Sequence, residues 1–124
     1  MSKPKILLVD DETRFRTTVS KRLAERGQDV TAVGSGLEAI ESVKQTPFDI
    51  VVLDVKMPGL NGLETLTELK KIRPELAVIM LTGHASVDSS IEGMKLGAFD
   101  YILKPCDIEE LLGKIEAAHR SLTQ

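Results

Sequence analysis

The sequence predicts a doubly wound α/β fold: a five-stranded parallel sheet with five helices distributed over both faces. Three observations carry this. Short apolar runs rich in β-branched residues alternate with longer stretches of helical periodicity, the pattern that gives a parallel sheet covered on both sides. Each apolar run ends at once in Asp, Thr, Gly or Pro, residues that take the chain out of a sheet. The chain has 124 residues, which suits one domain, residues 1–124, with one core and no room for a second.

The first strand is Lys5 to Val9, ending in the acidic pair Asp10-Asp11. Thr13 or Asp11 can cap a helix through about Arg26, with Phe15, Val19 and Leu23 on one stripe and Gly27 as its C-terminal glycine. Asp29 to Val33 is a weaker strand. Ser35 and Glu38 have capping-box spacing ahead of Ala39, Ile40 and Val43, a short helix that ends before Pro47.

Ile50 to Leu53 is the central strand. It is apolar throughout, as a strand buried on both faces must be, and it delivers Asp54 to its carboxyl end before the Pro58-Gly59 turn. Asn61 and Glu64 fit the cap of a third helix with Leu63, Leu66, Leu69 and Ile72 as its buried face, ended by Arg73-Pro74. Ala77 to Leu81 is another strongly apolar strand, leading to Thr82-Gly83-His84. Ser86 starts a fourth helix carrying Val87, Ile91 and Met94, closed by Gly97. Phe99 to Leu103 is the last strand and ends at Lys104-Pro105. Asp107 and Glu110 cap a final helix bearing Leu111, Leu112, Ile115 and Leu122.

Right-handed crossovers and the flavodoxin-like strand order 2-1-3-4-5 bury strands 1, 3 and 4, the three most apolar, and leave strands 2 and 5 at the edges. A six-strand-type dinucleotide-binding half is the less economical alternative. Hydrophobic content of 42% and charged content of 28% are ordinary for a globular chain. A net charge of −3 argues against a nucleic-acid surface. No apolar run approaches bilayer length, no signal peptide precedes the first strand, and Cys106 has no partner for an internal disulfide. A cytoplasmic setting is expected.

The carboxyl ends of the strands collect the chemistry: Asp10 and Asp11 from strand 1, Asp54 from strand 3, Thr82 from strand 4 and Lys104 from strand 5. Three close carboxylates repel one another, so either one takes up a proton or a cation binds among them. A hard divalent ion such as Mg²⁺ suits few protein oxygens plus waters. With Lys104 and the Thr82 hydroxyl added, the arrangement makes a cradle for a phosphoryl group, in which Asp54 would be the nucleophile. A nucleotide site fails here, because Val9-Asp10-Asp11-Glu12-Thr13 has no glycine and presents acids where phosphates would lie.

These residues resemble the receiver domain of bacterial two-component response regulators: Asp10-Asp11, Asp54-x-x-Met57-Pro58-Gly59, Thr82 and Lys104-Pro105, in order and each at a strand end. The resemblance covers residues 4 to 122. It implies that Asp54 is phosphorylated by a sensor histidine kinase. It implies that Asp11, Asp54 and the backbone carbonyl of Lys56 bind Mg²⁺, with Asp10 acting through water. It further implies that Thr82 and Lys104 are the switch and charge residues, that Tyr101 is the switch aromatic, and that the bond before Pro105 is cis. The helix 4–strand 5–helix 5 surface would change shape and engage an output domain or protein, or a second copy.

Simpler roles stand beside these. Asp54 alone could be a turn cap, Asp10 or Asp11 could cap helix 1, and Tyr101 is expected half-buried on its edge strand. The side chains of Lys56 and His84 are either plain surface or the mouth of the site. His119 reads as a boundary packing residue and Cys106 as inert. Gly93 either loosens helix 4 by roughly 1 kcal/mol relative to Ala or permits close packing. The rival functions are a Mg²⁺-dependent phosphatase with an aspartyl nucleophile and an interaction module that needs no phosphorylation. The phosphatase would want a second acid at position 56, where Lys stands, together with a substrate cap. The expectation is a switch that catalyses only its own phosphoryl transfer and dephosphorylation. A chain ending at Gln124 fits both a complete receiver and the N-terminal part of a longer regulator. Leu81 to His84 and Gly97 to Tyr101 resemble receivers that precede an enhancer-binding ATPase module.

Overall fold

A computed structural model describes residues 3–83 and 87–123, side chains excepted over 87–90. Strands and helices alternate throughout: β1 (Lys5–Val9), α1 (Thr13–Glu25), β2 (Asp29–Val33), α2 (Gly36–Gln45), β3 (Ile50–Asp54), α3 (Gly62–Ile72), β4 (Ala77–Thr82), α4 (Val87–Lys95), β5 (Asp100–Leu103) and α5 (Ile108–Leu122). The sheet is parallel in the order β2-β1-β3-β4-β5, as the apolar ranking of the strands predicts. Every residue of β3 and β4 is buried, whereas β2 and β5 are half exposed, so the topology puts the apolar runs in the middle and the mixed ones at the edges.

Because side chains alternate across a strand, each central strand feeds two cores. Leu7, Val9, Val51, Leu53, Val78 and Met80 pack with Ala39, Val43, Leu66 and Leu69 of α2 and α3. Ile6, Leu8, Ile50, Val52, Ile79 and Leu81 pack on the other face with Val19, Leu23, Leu111 and Ile115 of α1 and α5. Each of these large side chains is worth about 1.5–3 kcal/mol of burial. This two-sided packing fixes the sheet and therefore the line of strand ends. Among the described residues, no helix is long and apolar enough to cross a membrane.

The caps differ in detail from expectation. Helix α1 begins after Glu12, whose side chain makes no cap; neither Thr13 nor Asp11 serves, and the Asp10 carboxylate instead accepts from the Glu12 amide at 2.9 Å. Ser35 accepts from the Glu38 amide, but the Glu38 carboxylate meets the Ser35 hydroxyl and not its amide, so only half of that capping box forms. Asn61 and Glu64 complete theirs. Asp107 caps α5 through Glu109 and not Glu110. Gly27 and Gly97 close α1 and α4 at φ 79° and 105°, in the left-handed region.

Three residues expected on buried faces are exposed: Ile72, Ile91 and Met94. Ile72 is the last residue of α3. Ile91 and Met94 face outward because α4 turns Gly93 toward Met80, with room for a methyl group at 3.4 Å. The proposed cap Ser86 lies outside the described residues, as does the side chain of Val87.

Candidate functional site

The register of β1 on β3 pairs Val9 with Leu53, which brings the residues that follow each, Asp10 and Asp54, to one rim. Asp10 and Thr82 are fully buried and Asp54 is 5% exposed, whereas Asp11 is at the surface. Carboxylate oxygens of Asp10, Asp11 and Asp54 lie within 4.8 Å of one another. Lys104 reaches in from β5, with Nζ at 2.7 Å from Asp10 Oδ2 and 3.4 Å from Asp54 Oδ1. The Lys104-Pro105 bond is cis. A pocket of about 390 Å³ opens over the cluster, lined by Asp11, Glu12, Asp54, Lys56, Gly83 and Lys104.

The backbone holds these groups tightly. The Lys104 amide donates to the Thr82 carbonyl at 2.7 Å, tying the two rim residues of β4 and β5 together. Arg16 Nη1 donates to the Asp10 carbonyl at 2.7 Å and anchors the acidic loop to α1. The Val55 amide donates to Leu81 O at 3.0 Å, and the Val55 carbonyl accepts from the Gly62 amide at 2.8 Å, so the turn after Asp54 is bonded on both sides. Gly62 sits directly on that turn: a Cβ there would overlap the Asp54 carbonyl and Val55 Cα.

Electrostatics match the crowding. Burial, then the neighbouring Asp10, push the Asp54 carboxyl up to about 6; Lys104 opposes and Asp11 adds to the rise. Burial alone would lower the Lys104 ammonium, but the close approach of Asp10 and the charge of Asp54 outweigh it and hold its pKa above the usual lysine value. Among the described residues, two buried side-chain oxygens accept or donate no aligned hydrogen bond: Asp10 Oδ2 and Thr82 Oγ1. Lys104 satisfies the first by charge more than by direction. Buried polar atoms are rarely left as the Thr82 hydroxyl is, and its place at the rim suits a polar group that enters there. Three convergent carboxylate oxygens, with a surplus of negative charge over one ammonium, fit a hard divalent cation.

The structure brings together Asp10, Asp11, Asp54 and Lys104, with Lys56 on the wall of the same pocket. Tyr101 is 41% exposed, more open than the half-buried position expected, because β5 is a sheet edge. His84 lies outside the described residues. His119 is half-buried at the margin of α5, and burial raises the Cys106 thiol above its usual value. Sequence reading passed over Arg16 and Gly62. It also missed Phe15 as a neighbour of Lys104, whose Nζ stands 4.4 Å from the ring centroid. The only sequence hint was an arginine in the first turn of the helix that follows an acidic pair.

The response regulator receiver domain pattern matches residues 6–116. The transcriptional regulatory protein YkoG of Bacillus subtilis is 39% identical over 97% of this chain and 53% of its own length. ZraR of Escherichia coli, also a transcriptional regulatory protein, is 37% identical over 91% of this chain but only 26% of its own length. The chain thus spans between a quarter and about half of these relatives. Among solved structures, a receiver domain protein from Clostridium thermocellum superposes with a TM-score of 0.91 at 37% identity, covering 98% of this chain and 99% of that one. The receiver domain of NtrX from Brucella abortus gives 0.88 at 33% identity, over 92% and 97%. Strand order, rim chemistry and these likenesses agree that the chain belongs to the response regulator receiver domain family.

Proposed function

We propose that this domain is a phosphorylation-activated switch in which Asp54 accepts a phosphoryl group from a sensor histidine kinase. The observation that carries the reading is the position of Asp54 between an ammonium and two further acids, beside the buried Thr82 hydroxyl, which has no hydrogen-bond partner among the described residues. A carboxylate oxygen of Asp54 attacks phosphorus as the P–N bond of the phosphohistidine breaks, and the freed electron pair returns to the imidazole, which is protonated from solvent. Lys104 neutralises charge on the transferring oxygens, and the Thr82 hydroxyl donates to one of them. Asp11, Asp54 and the Lys56 carbonyl, with Asp10 nearby, would hold Mg²⁺, which would supply the remaining positive charge.

A Thr82 hydroxyl committed to a phosphoryl oxygen is the local event that biases the switch. Its backbone already accepts from Lys104, so β5 and the outward Tyr101 and Leu103 would follow, together with Ile91 and Met94 on α4. That face is the proposed output surface, for an effector domain or a second copy, in the cytoplasm. Lys56 stands where an aspartyl-nucleophile phosphatase would carry its second acid, so turnover of external phosphoesters is not expected. Intact mass after incubation with Mg²⁺ and acetyl phosphate tests the reading. One labile phosphoryl adduct should form, and Asp54→Asn should form none; an adduct that survives in Asp54→Asn would refute it.

A further inference from the structure

Lys104 must hold a flexible four-carbon stem in place between acids that compete for it. Among the described residues its ammonium meets Asp10 Oδ2 at 2.7 Å, Asp54 Oδ1 at 3.4 Å and the face of Phe15 at 4.4 Å. The ring is itself half-buried and packed against the core between the sheet and α1 and α5, so it forms a fixed wall and not a mobile cover. Chemistry explains why a ring belongs there. A further carboxylate would hold the ammonium but would add a negative charge to a cluster that already has three, and would repel an incoming phosphoryl group. An aromatic face attracts a cation through its quadrupole and carries no net charge.

We propose that Phe15 is a positioning residue for phosphoryl transfer, its ring holding the Lys104 ammonium beside Asp54. The proposal rests on Asp54 being the phosphoacceptor. The attraction of the ring is independent of whether either carboxylate is protonated, bound or modified. Lys104 therefore stays at the rim when its pairing with Asp10 or Asp54 changes during the reaction.

The test uses Phe15→Leu, which keeps an apolar side chain against the core, with Phe15→Tyr as the variant that restores an aromatic face. In EDTA-treated protein the Lys104 ε-methylene protons should be shifted upfield by the ring relative to other lysines. Phe15→Leu should abolish the shift and Phe15→Tyr should keep it. With Mg²⁺ and acetyl phosphate, Phe15→Leu should form the adduct about five- to thirty-fold more slowly, the range a desolvated cation–π contact supports. Phe15→Tyr should stay within about twofold of wild type on the same ground. In a Lys104→Met background, Phe15→Leu should slow the reaction no further. Equal slowing by Leu and Tyr, or undiminished slowing without Lys104, would overturn the proposal in favour of packing. Absence of the upfield shift in wild type would overturn it as well. A wild type that forms no adduct fails the phosphoacceptor reading and this inference with it; one that forms the adduct while Phe15→Leu keeps its rate overturns this inference alone.

Discussion

The two ends of this sheet are finished in opposite ways. At the amino ends of the strands, charged groups are consumed by backbone. Arg73 donates to the carbonyls of Phe48 and Val43 at 3.0 and 3.3 Å, Lys70 to those of Pro74 and Leu76 at 2.6 and 2.8 Å, and Asp49 accepts from the Lys5 amide at 2.8 Å. At the carboxyl ends, three acids face one ammonium, and Asp10 Oδ2 and Thr82 Oγ1 are buried without aligned partners. The lesson is that satisfied polar groups hold a structure, while a surplus of them is kept for something that arrives from outside.

That contrast can be broken most sharply with one residue from each end. Lys104→Met should slow adduct formation with acetyl phosphate by about 100-fold, the usual cost of losing one preorganised charge at a developing anion. Arg73→Ala should leave that rate unchanged but cost about 2 kcal/mol in urea denaturation, because two carbonyls lose a charged donor. Comparable rate losses in both variants would mean that the two ends are not functionally distinct.

A second expectation concerns pH. The unfolded chain releases the Asp54 proton near 3.8, whereas the folded domain holds it up to about 6. The proton's contribution to stability is therefore complete below pH 3.8 and is lost as pH rises through 6. In EDTA, Asp54→Asn removes that loss and should exceed wild type by up to about 3 kcal/mol at pH 7, converging with it below pH 4. Melting curves at several pH values check this, and a stability gap that does not change with pH would contradict it. The smallest effect is expected at Gly93. The 3.4 Å to Met80 leaves room for a methyl group, so Gly93→Ala should stabilise the domain by about 0.5–1 kcal/mol, measured by chemical denaturation.

The sheet order was legible because burial on both faces leaves a plain signature, the unbroken apolar runs of β1, β3 and β4. Asp10, Asp11, Asp54 and Lys104 were legible for a related reason, since a topology that aligns strand ends turns sequence position into spatial position. What escaped was everything decided by contacts between distant segments. The stripe holding Phe15 marks it as core, and no spacing rule reports that its face meets an ammonium from β5. Ile91 and Met94 have helical periodicity but lie on the outer side of α4, because periodicity identifies a stripe without saying what lies opposite it. Caps differed in a smaller way at Glu12, where three acids in a row offer alternatives, and at Asp107, which accepts from the Glu109 amide, so Glu110 takes no part in the cap.

Gly62 carries a consequence for anyone who would rebuild this site. Lys56 is exposed on the pocket wall and open to variation, whereas Gly59 has space for a Cβ but holds a φ of 74° that strains any other residue. Position 62 is closed to every other amino acid, because even a methyl group would drive α3 off the peptide that carries Asp54. A library aimed at the pocket wall can vary Lys56, and it should inherit Gly62, the buried Met57 and the capping Asn61 unchanged.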